Sequence, residues 1–317
     1  MIALRKAVEL THEIMFSLEK SILKHLAFNN CSNKSTILHV KRDDLIDPIV
    51  SGNKWRKLKY NILAAQSRKN DTLITFGGAY SNHLIATAKA CALYGIESVG
   101  IVRGEELHSD SNETLKHCRE LGMKLIFISR EEYHLRNDKA YWEQLHIDYP
   151  NSFIVPEGGA NFYGLIGCQE IWKELSDDYT DVIVAAGTGT TAAGILSGMP
   201  EKCTLHVFSA LKGDFMEKEI LSKIEYGFHN SEFTNLCASR LQVCSEDIFG
   251  GYGKFNTELL RFIQEMNEAY DLPLDQVYTG KAFFRLVQLI KENYFSENAK
   301  ILFIHTGGLQ GNTTKIE

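Results

Sequence analysis

The sequence has few cysteines, no excess of positive charge and no long apolar run, and each lack excludes a class of protein. Its seven cysteines, Cys31, Cys91, Cys118, Cys168, Cys203, Cys237 and Cys244, are odd in number and contain no C-x-x-C pair. Neither a disulfide framework nor a zinc cluster is expected. Several, such as Cys91 in ATAKACALYG, fall on apolar helix faces, where a thiol packs as a small hydrophobe. Basic residues number 34 against 40 acidic ones, a formal charge of -6, so the cationic face that phosphate backbones require is missing and no nucleic-acid partner is expected. A neutral or mildly anionic small molecule is the expected partner. No apolar stretch approaches the roughly 18 residues of a membrane span. The start, MIALRKAVELTHE, breaks into charge before a signal-peptide core could form, which makes a cytoplasmic location the expectation. With 44% hydrophobic and 23% charged residues over 317 positions, disorder, collagen and coiled coil are excluded, and one large domain or two medium ones can be built.

Short β-branched or aromatic runs alternate with helix-length segments. The runs are TLITF (72–76), SVGIV (98–102), KLIFI (124–128), 153–155, DVIVAA (181–186), TLHVF (204–208) and KILFI (300–304). Amphipathic stretches lie near 58–68, 82–94, 113–121, 162–175, 255–270 and 282–293. This β-α-β-α order gives an α/β fold. Runs apolar on both faces mark strands sandwiched between helices in largely parallel sheets. Two open, twisted sheets are more economical than one of seven or more strands. The expected division is a large domain, 1–50 with 156–317, and a small one, 51–155, with a cleft between them. The acidic, polar stretch 131–150 is expected to form a surface helix and a return crossing.

Six turns could carry chemistry. In VAAGTGTTAAG (184–194) an apolar strand runs into Gly187 and Gly189 and then into small residues opening a helix. Successive N–H groups and the positive helix end converge there on a place suited to an anion, usually a phosphate. A nucleotide P-loop would need G-K-[ST] after the glycines, and Gly194 is followed by Ile195. A dinucleotide fingerprint matches Gly187, Gly189 and Ala192, but the next strand ends in Ser209 and Ala210 where a ribose-binding carboxylate belongs. A phosphate cup for a smaller cofactor, with Thr188, Thr190 and Thr191 adding hydroxyls, is the third reading; a plain strand-to-helix turn is the fourth. Upstream, Gly52 and Asn53 precede Lys54 at a helix start, where the dipole disfavours its cation and makes it a candidate nucleophile. In GGAYSNH (77–83), Ser81, Asn82 and His83 open a helix and are expected to offer a hydroxyl, an amide and an imidazole to the cleft; Ser81 can serve as the N-cap or offer a donor to a carboxylate. In VYTGKAFF (277–284), Tyr278 and Thr279 precede a glycine and a helix. GGYGK (250–254) presents Tyr252 on flexible backbone, and IHTGGLQG (304–311) brings Thr306 to a sheet's carboxyl edge, where open α/β sheets bind ligands.

In this order, KRDDL, GNKWRKL, GGAYSNH, PEGGAN, GTGTTAAG, GGYGK, YTGKA and HTGG resemble the pyridoxal-phosphate enzymes of the tryptophan synthase β-like fold, also called fold type II. Within that fold they are most similar to the 1-aminocyclopropane-1-carboxylate deaminases and D-cysteine desulfhydrases, and the resemblance runs from about Val40 to Gly311. It implies pyridoxal 5'-phosphate as cofactor, held covalently by Lys54, which would also move the substrate's α-proton. It further implies that Asn82 binds the cofactor's 3'-oxygen and that Ser81, with neighbouring N–H groups of Asn82 and His83, receives the substrate carboxylate. Gly187, Thr188, Gly189, Thr190 and Thr191 would cradle the phosphate, Tyr278 would lie against the ring, Tyr252 would face the substrate and Thr306 would meet the ring nitrogen. A small amino-acid substrate and a homodimer are likewise implied.

The family's ring-opening deaminases carry glutamate where this chain has Thr279 and leucine where it has Thr306. A carboxylate near the ring nitrogen would keep it protonated and strengthen the electron sink, whereas a threonine offers only a neutral hydrogen bond. Loss of thiolate from the β-carbon demands less of that sink. The expected activity is therefore α,β-elimination on a small D-amino acid such as D-cysteine, giving pyruvate, ammonia and sulfide. The alternative is deamination of 1-aminocyclopropane-1-carboxylate to 2-oxobutanoate and ammonia. An NAD-type oxidoreductase built on Gly187 and Gly189, and a protein that binds the cofactor without turnover, are more distant readings.

Overall fold

A computed structural model describes residues 16, 18–27, 36–176, 178–211, 213–244, 248–251, 253–309 and 312. In chain order the strands are β1 (Leu23–Leu26), β2 (Ile37–Lys41), β3 (Thr72–Gly78), β4 (Glu97–Arg103), β5 (Lys124–Ile128), β6 (Ser152–Val155), β7 (Asp181–Ala186), β8 (Thr204–Ser209), β9 (Leu241–Cys244) and β10 (Lys300–Ile304). The helices are α1 (Asn53–Ser67), α2 (Asn82–Tyr94), α3 (Glu113–Glu120), α4 (Arg130–His134), α5 (Lys139–Asp148), α6 (Phe162–Gln169), α7 (Thr190–Gly198), α8 (Met216–Phe228), α9 (Ser231–Ala238), α10 (Thr257–Tyr270) and α11 (Thr279–Lys291).

Two compact units result, one on Lys54–Gly167 and the other on Leu18–Asn53 together with the chain from Cys168 onward. The smaller unit holds a parallel sheet ordered β5-β4-β3-β6. Its central strand β3 is buried from Thr72 through Gly77, so both faces of the TLITF run lie under helices. Ile74, Phe76, Val99, Ile101 and Tyr133 form its core. The larger unit holds a sheet ordered β1-β2-β10-β7-β8-β9, parallel except where β1 pairs antiparallel with β2. Its core includes Val40, Ile183, Leu286, Ile301 and the rings of Phe283 and Phe303, which meet edge to face at 4.9 Å.

The small unit therefore runs to Gly167 rather than closing at 155, and packing gives the reason. A Cβ at Gly164 would overlap the Gly159 carbonyl, and one at Gly167 would overlap the Arg56 carbonyl. The missing side chains let Gly164 lie against the Gly159 carbonyl and bring α6 at Gly167 onto the α1 backbone at Arg56. Phe16 also belongs here, with its ring 4.6 Å from Trp55.

Two features of the cysteines follow from burial. Cys91, Cys118, Cys168, Cys203 and Cys237 are buried and Cys244 is half-buried; Cys31 lies outside the described residues. Burial pushes the thiols of Cys91 and Cys118 up to about 12, so they are inert packing groups at neutral pH. Among the described residues, no helix is long and apolar enough to cross a membrane.

Candidate active site

In the larger unit, neighbouring parallel strands β2, β10 and β7 deliver three turns to one sheet edge. The register aligns Ile304 with Lys41 and with Val184, so the chain leaves β10 into His305-Thr306 beside the exit of β7 into Gly187. The Ser51-Gly52-Asn53 turn joins them. Gly52 has φ +62, its N–H donates to Asp43 O at 2.9 Å, and a Cβ there would overlap the carbonyl of Thr306. Asn53 donates its backbone N–H to that same carbonyl at 3.3 Å and its side-chain amide to Thr191 Oγ1 at 2.9 Å. The residue that precedes Lys54 is thus tied to both the Thr306 turn and the start of α7.

Buried charges brace this junction. Arg42 reaches Asp44 through Nε at 2.8 Å and Nη2 at 2.7 Å, and Ser21 Oγ donates to Asp43 at 2.5 Å. His305, fully buried, has Nε2 2.6 Å from Pro273 O and receives the Gly307 N–H on Nδ1 at 3.2 Å. A carbonyl can only accept, so the proton sits on Nε2 and Nδ1 is the acceptor. His305 therefore shapes the turn after Thr306.

Gly189, at φ +76, occupies the N-cap of α7 with no side-chain cap. By contrast α2, α3, α5, α9 and α10 are capped by Ser81, Asn112, Asp138, Asn230 and Asn256. The first N–H groups of a helix have no partner inside it. Their orientation at α7, beside the buried hydroxyls of Thr190 and Thr191, fits a phosphate. Thr188 and Thr190 hydroxyls lie 3.4 Å apart over this turn. Tyr278 stands beside it: a Cβ on Gly187 would be 3.2 Å from its ring and 3.4 Å from its hydroxyl.

In the smaller unit, β3 ends at Gly78 and Ser81 caps α2, its Oγ accepting from His83 N and Leu84 N at 3.3 Å each. The oxygen is the cap, and its proton remains available to donate. Lys54, second residue of α1, is half-buried, while Trp55, Arg56 and Lys57 after it are buried. Burial first, then the charges of Lys54 and Lys57, hold His83 well below the ordinary histidine range. Lysine helix and Ser-Asn-His turn therefore share one electrostatic environment. Asn161 of PEGGAN fixes it further, exchanging side-chain hydrogen bonds with Asn61 at 2.7 and 3.2 Å.

Two expectations need correction. The imidazole of His83 is not presented to a substrate: it is 2% exposed, with Nε2 2.9 Å from Thr75 Oγ1. Thr75 gives its own proton to Val155 O at 2.9 Å, so the imidazole donates inward, toward β3 and β6. Nor can Thr279 offer a hydrogen bond to a ring nitrogen. It is fully buried, donates to Asp275 Oδ2 at 2.6 Å and accepts from Asp275 N at 2.9 Å. Tyr252 lies outside the described residues; next to it, Lys281 Nζ donates to Gly251 O at 2.6 Å. No role is read from the sequence for the side chains of Asn53, Lys57 and Asp275, which the structure links to Thr191, His83 and Thr279 respectively. The GN-K spacing and the acidic residue three before Tyr278 were the signals for Asn53 and Asp275.

The model of the pyridoxal-phosphate dependent enzyme family matches residues 22–307. The chain belongs to that family. Its cofactor is pyridoxal phosphate, which agrees with the uncapped, threonine-lined start of α7. A bifunctional D-cysteine desulfhydrase/1-aminocyclopropane-1-carboxylate deaminase, mitochondrial, of Arabidopsis thaliana is 32% identical over 308 residues, 89% of this chain and 75% of that protein. A D-cysteine desulfhydrase of Klebsiella pneumoniae is 29% identical, covering 86% of each chain. A putative 1-aminocyclopropane-1-carboxylate deaminase of Pyrococcus furiosus is 32% identical over 86% of this chain and 85% of its own. Among solved structures, an ACC deaminase homologue superposes with a TM-score of 0.76 at 26% identity, covering 98% of this chain and 96% of that one. This pyridoxal-phosphate enzyme therefore has the fold-type-II architecture, with mostly parallel sheets flanked by helices.

Proposed function

We propose that this enzyme is a lyase that eliminates the β-substituent of a small D-amino acid, D-cysteine being the representative substrate, and releases pyruvate, ammonia and sulfide. The observation that carries the reading is the hydrogen bond from Asn53 to Thr191, because it fixes the residue before Lys54 to the start of the phosphate-binding helix. When bound, pyridoxal phosphate supplies an electron sink for the carbanion left at the α-carbon. Lys54 Nζ holds the cofactor and then takes the α-proton. Ser81 Oγ donates to the substrate carboxylate, and Asn82 hydrogen-bonds the cofactor's 3'-oxygen. The N–H groups of Gly187 to Thr191 hold the phosphate, Tyr278 covers the ring, Tyr252 faces the substrate and Thr306 offers the ring nitrogen a neutral hydrogen bond. Position 279 bears no carboxylate, and Asp275 beside it has both oxygens filled by four donors. Neither can strengthen the sink as ring opening requires, which favours elimination over the deaminase alternative. The working form is a homodimer.

Holoenzyme incubated with D-cysteine, L-cysteine, D-serine and 1-aminocyclopropane-1-carboxylate is expected to form pyruvate and sulfide from D-cysteine. Turnover of the cyclopropane substrate alone, with 2-oxobutanoate as product, would reverse the choice. Borohydride reduction and peptide mapping should find the cofactor on Lys54, and Lys54→Ala should lower turnover by about 10³-fold or more.

A further inference from the structure

We propose that Asp275 is a positioning residue that sets the phenol of Tyr278 against the phosphate-binding turn. The inference rests on the lyase reading, because it assigns a role within that same site. Asp275 is 2% exposed and its carboxylate collects four donors. Oδ1 accepts from Val277 N at 2.8 Å and Tyr278 N at 2.7 Å; Oδ2 accepts from Thr279 N at 2.7 Å and Thr279 Oγ1 at 2.6 Å. Gly280 N closes the loop on Asp275 O at 2.8 Å. These bonds compensate the burial of the charge.

An ordinary N-cap satisfies one or two N–H groups from the cap position itself. Asp275 instead lies three residues before Tyr278, which holds the N-cap of α11 at φ -119 and ψ -74 without a side-chain cap bond of its own. The carboxylate thus dictates the backbone path through Tyr278 as well as the start of the helix. A Cβ at Gly280 would come 2.5 Å from Asp275 O and 2.7 Å from Ile263 Cδ1, so the turn has no room to shift toward α10. At the other end, the phenol lies where a side chain on Gly187 would begin. Asp275 and Gly187 together define where the Tyr278 ring can be.

The test is a double-mutant cycle with cofactor binding as its first readout. Asp275→Asn keeps the volume but leaves one acceptor oxygen for four donors and adds N–H groups facing them. In the wild-type background it should raise the dissociation constant of pyridoxal phosphate from apoprotein, shift the visible band of the bound cofactor and lower kcat by on the order of tenfold to a hundredfold. In a Tyr278→Ala background the same change should add nothing to any of these, while the melting temperature falls equally in both. Equal losses in both backgrounds, or no change in the wild-type background, would overturn the proposal. If Asp275→Asn does not fold, Thr279→Ala, which frees one bond to each end of Asp275, is read in the same cycle with the same criteria. Wild-type protein that takes up no cofactor on Lys54 defeats the lyase reading itself; wild-type protein that does so, with an inert Asp275→Asn, defeats only the positioning role.

Discussion

At the scale of single residues, an amide and a hydroxyl tie the turn before the lysine to the start of α7. Asn53 contributes its side chain to Thr191 and its N–H to Thr306 O, and such a neutral hydrogen bond contributes about 1 kcal/mol. Asn53→Ala should weaken cofactor binding by about fivefold, measured by titrating apoprotein. Unchanged affinity would show that Thr191 is placed by other means. Thr279 makes the sharper case. Its sequence position, directly after Tyr278, invites a role at the ring nitrogen, yet the side chain points at a buried carboxylate. Sequence spacing cannot reveal that, because the partner is set by how the 275–279 turn closes. Thr279→Glu, which copies the deaminase residue, should therefore set two carboxylates together in a dry site and destabilise the protein by several kcal/mol. It should create no turnover of the cyclopropane substrate. A stable Thr279→Glu protein that opens the ring would sink the argument.

Among elements, those with strong periodicity were legible and those without it were not. Seven strands, β3 to β8 and β10, could be read from continuous apolar runs, the mark of parallel strands packed under helices. β1 (LKHL), β2 (ILHVK) and β9 (LQVC) escaped notice: each is short and interrupted by polar residues, and β1 and β9 lie at the two edges of their sheet. The polar stretch after 130 gives α4 and α5, two helices where one was expected, since Ser129 and Asp138 each cap a separate start. The seat of α6 on α1 was invisible for a different reason. Nothing in the local pattern distinguishes a glycine that admits backbone from one that merely turns. Gly167→Ala should force α6 away from the Arg56 carbonyl and lower stability by about 1–3 kcal/mol, read from urea unfolding. A change below a few tenths would mean that α6 shifts freely and that this contact does not hold the unit together.

For the whole molecule, the two-unit organisation was legible from strand spacing, but its boundaries were not, since the chain leaves one unit for the other inside α1 and again inside α6. The amphipathic pattern of 162–175 runs through the second crossing without a break, and the first falls at the Gly52-Asn53 turn a few residues before the 58–68 pattern begins. The molecule's response to pH depends on a histidine that sequence placed at a substrate and structure places in the interior. His83 is held well below 6.5 by burial and by Lys54 and Lys57, so between its folded value and about 6.5 the unfolded chain binds a proton that the folded chain refuses. Stability from this source is complete above about 6.5 and declines as pH falls below it, by up to about 1.4 kcal/mol per pH unit. His83→Gln removes the titration while leaving a group able to donate to Thr75. The variant should be less stable than wild type by a constant amount from pH 7.5 down to about 6.5, and the gap should narrow below that toward pH 5.5 in urea unfolding of both. All other carboxylates and histidines cancel in that difference. Parallel stability curves for the two proteins over this range would mean that the folded interior admits the proton, and that the two lysines do not act on His83 as their placement requires.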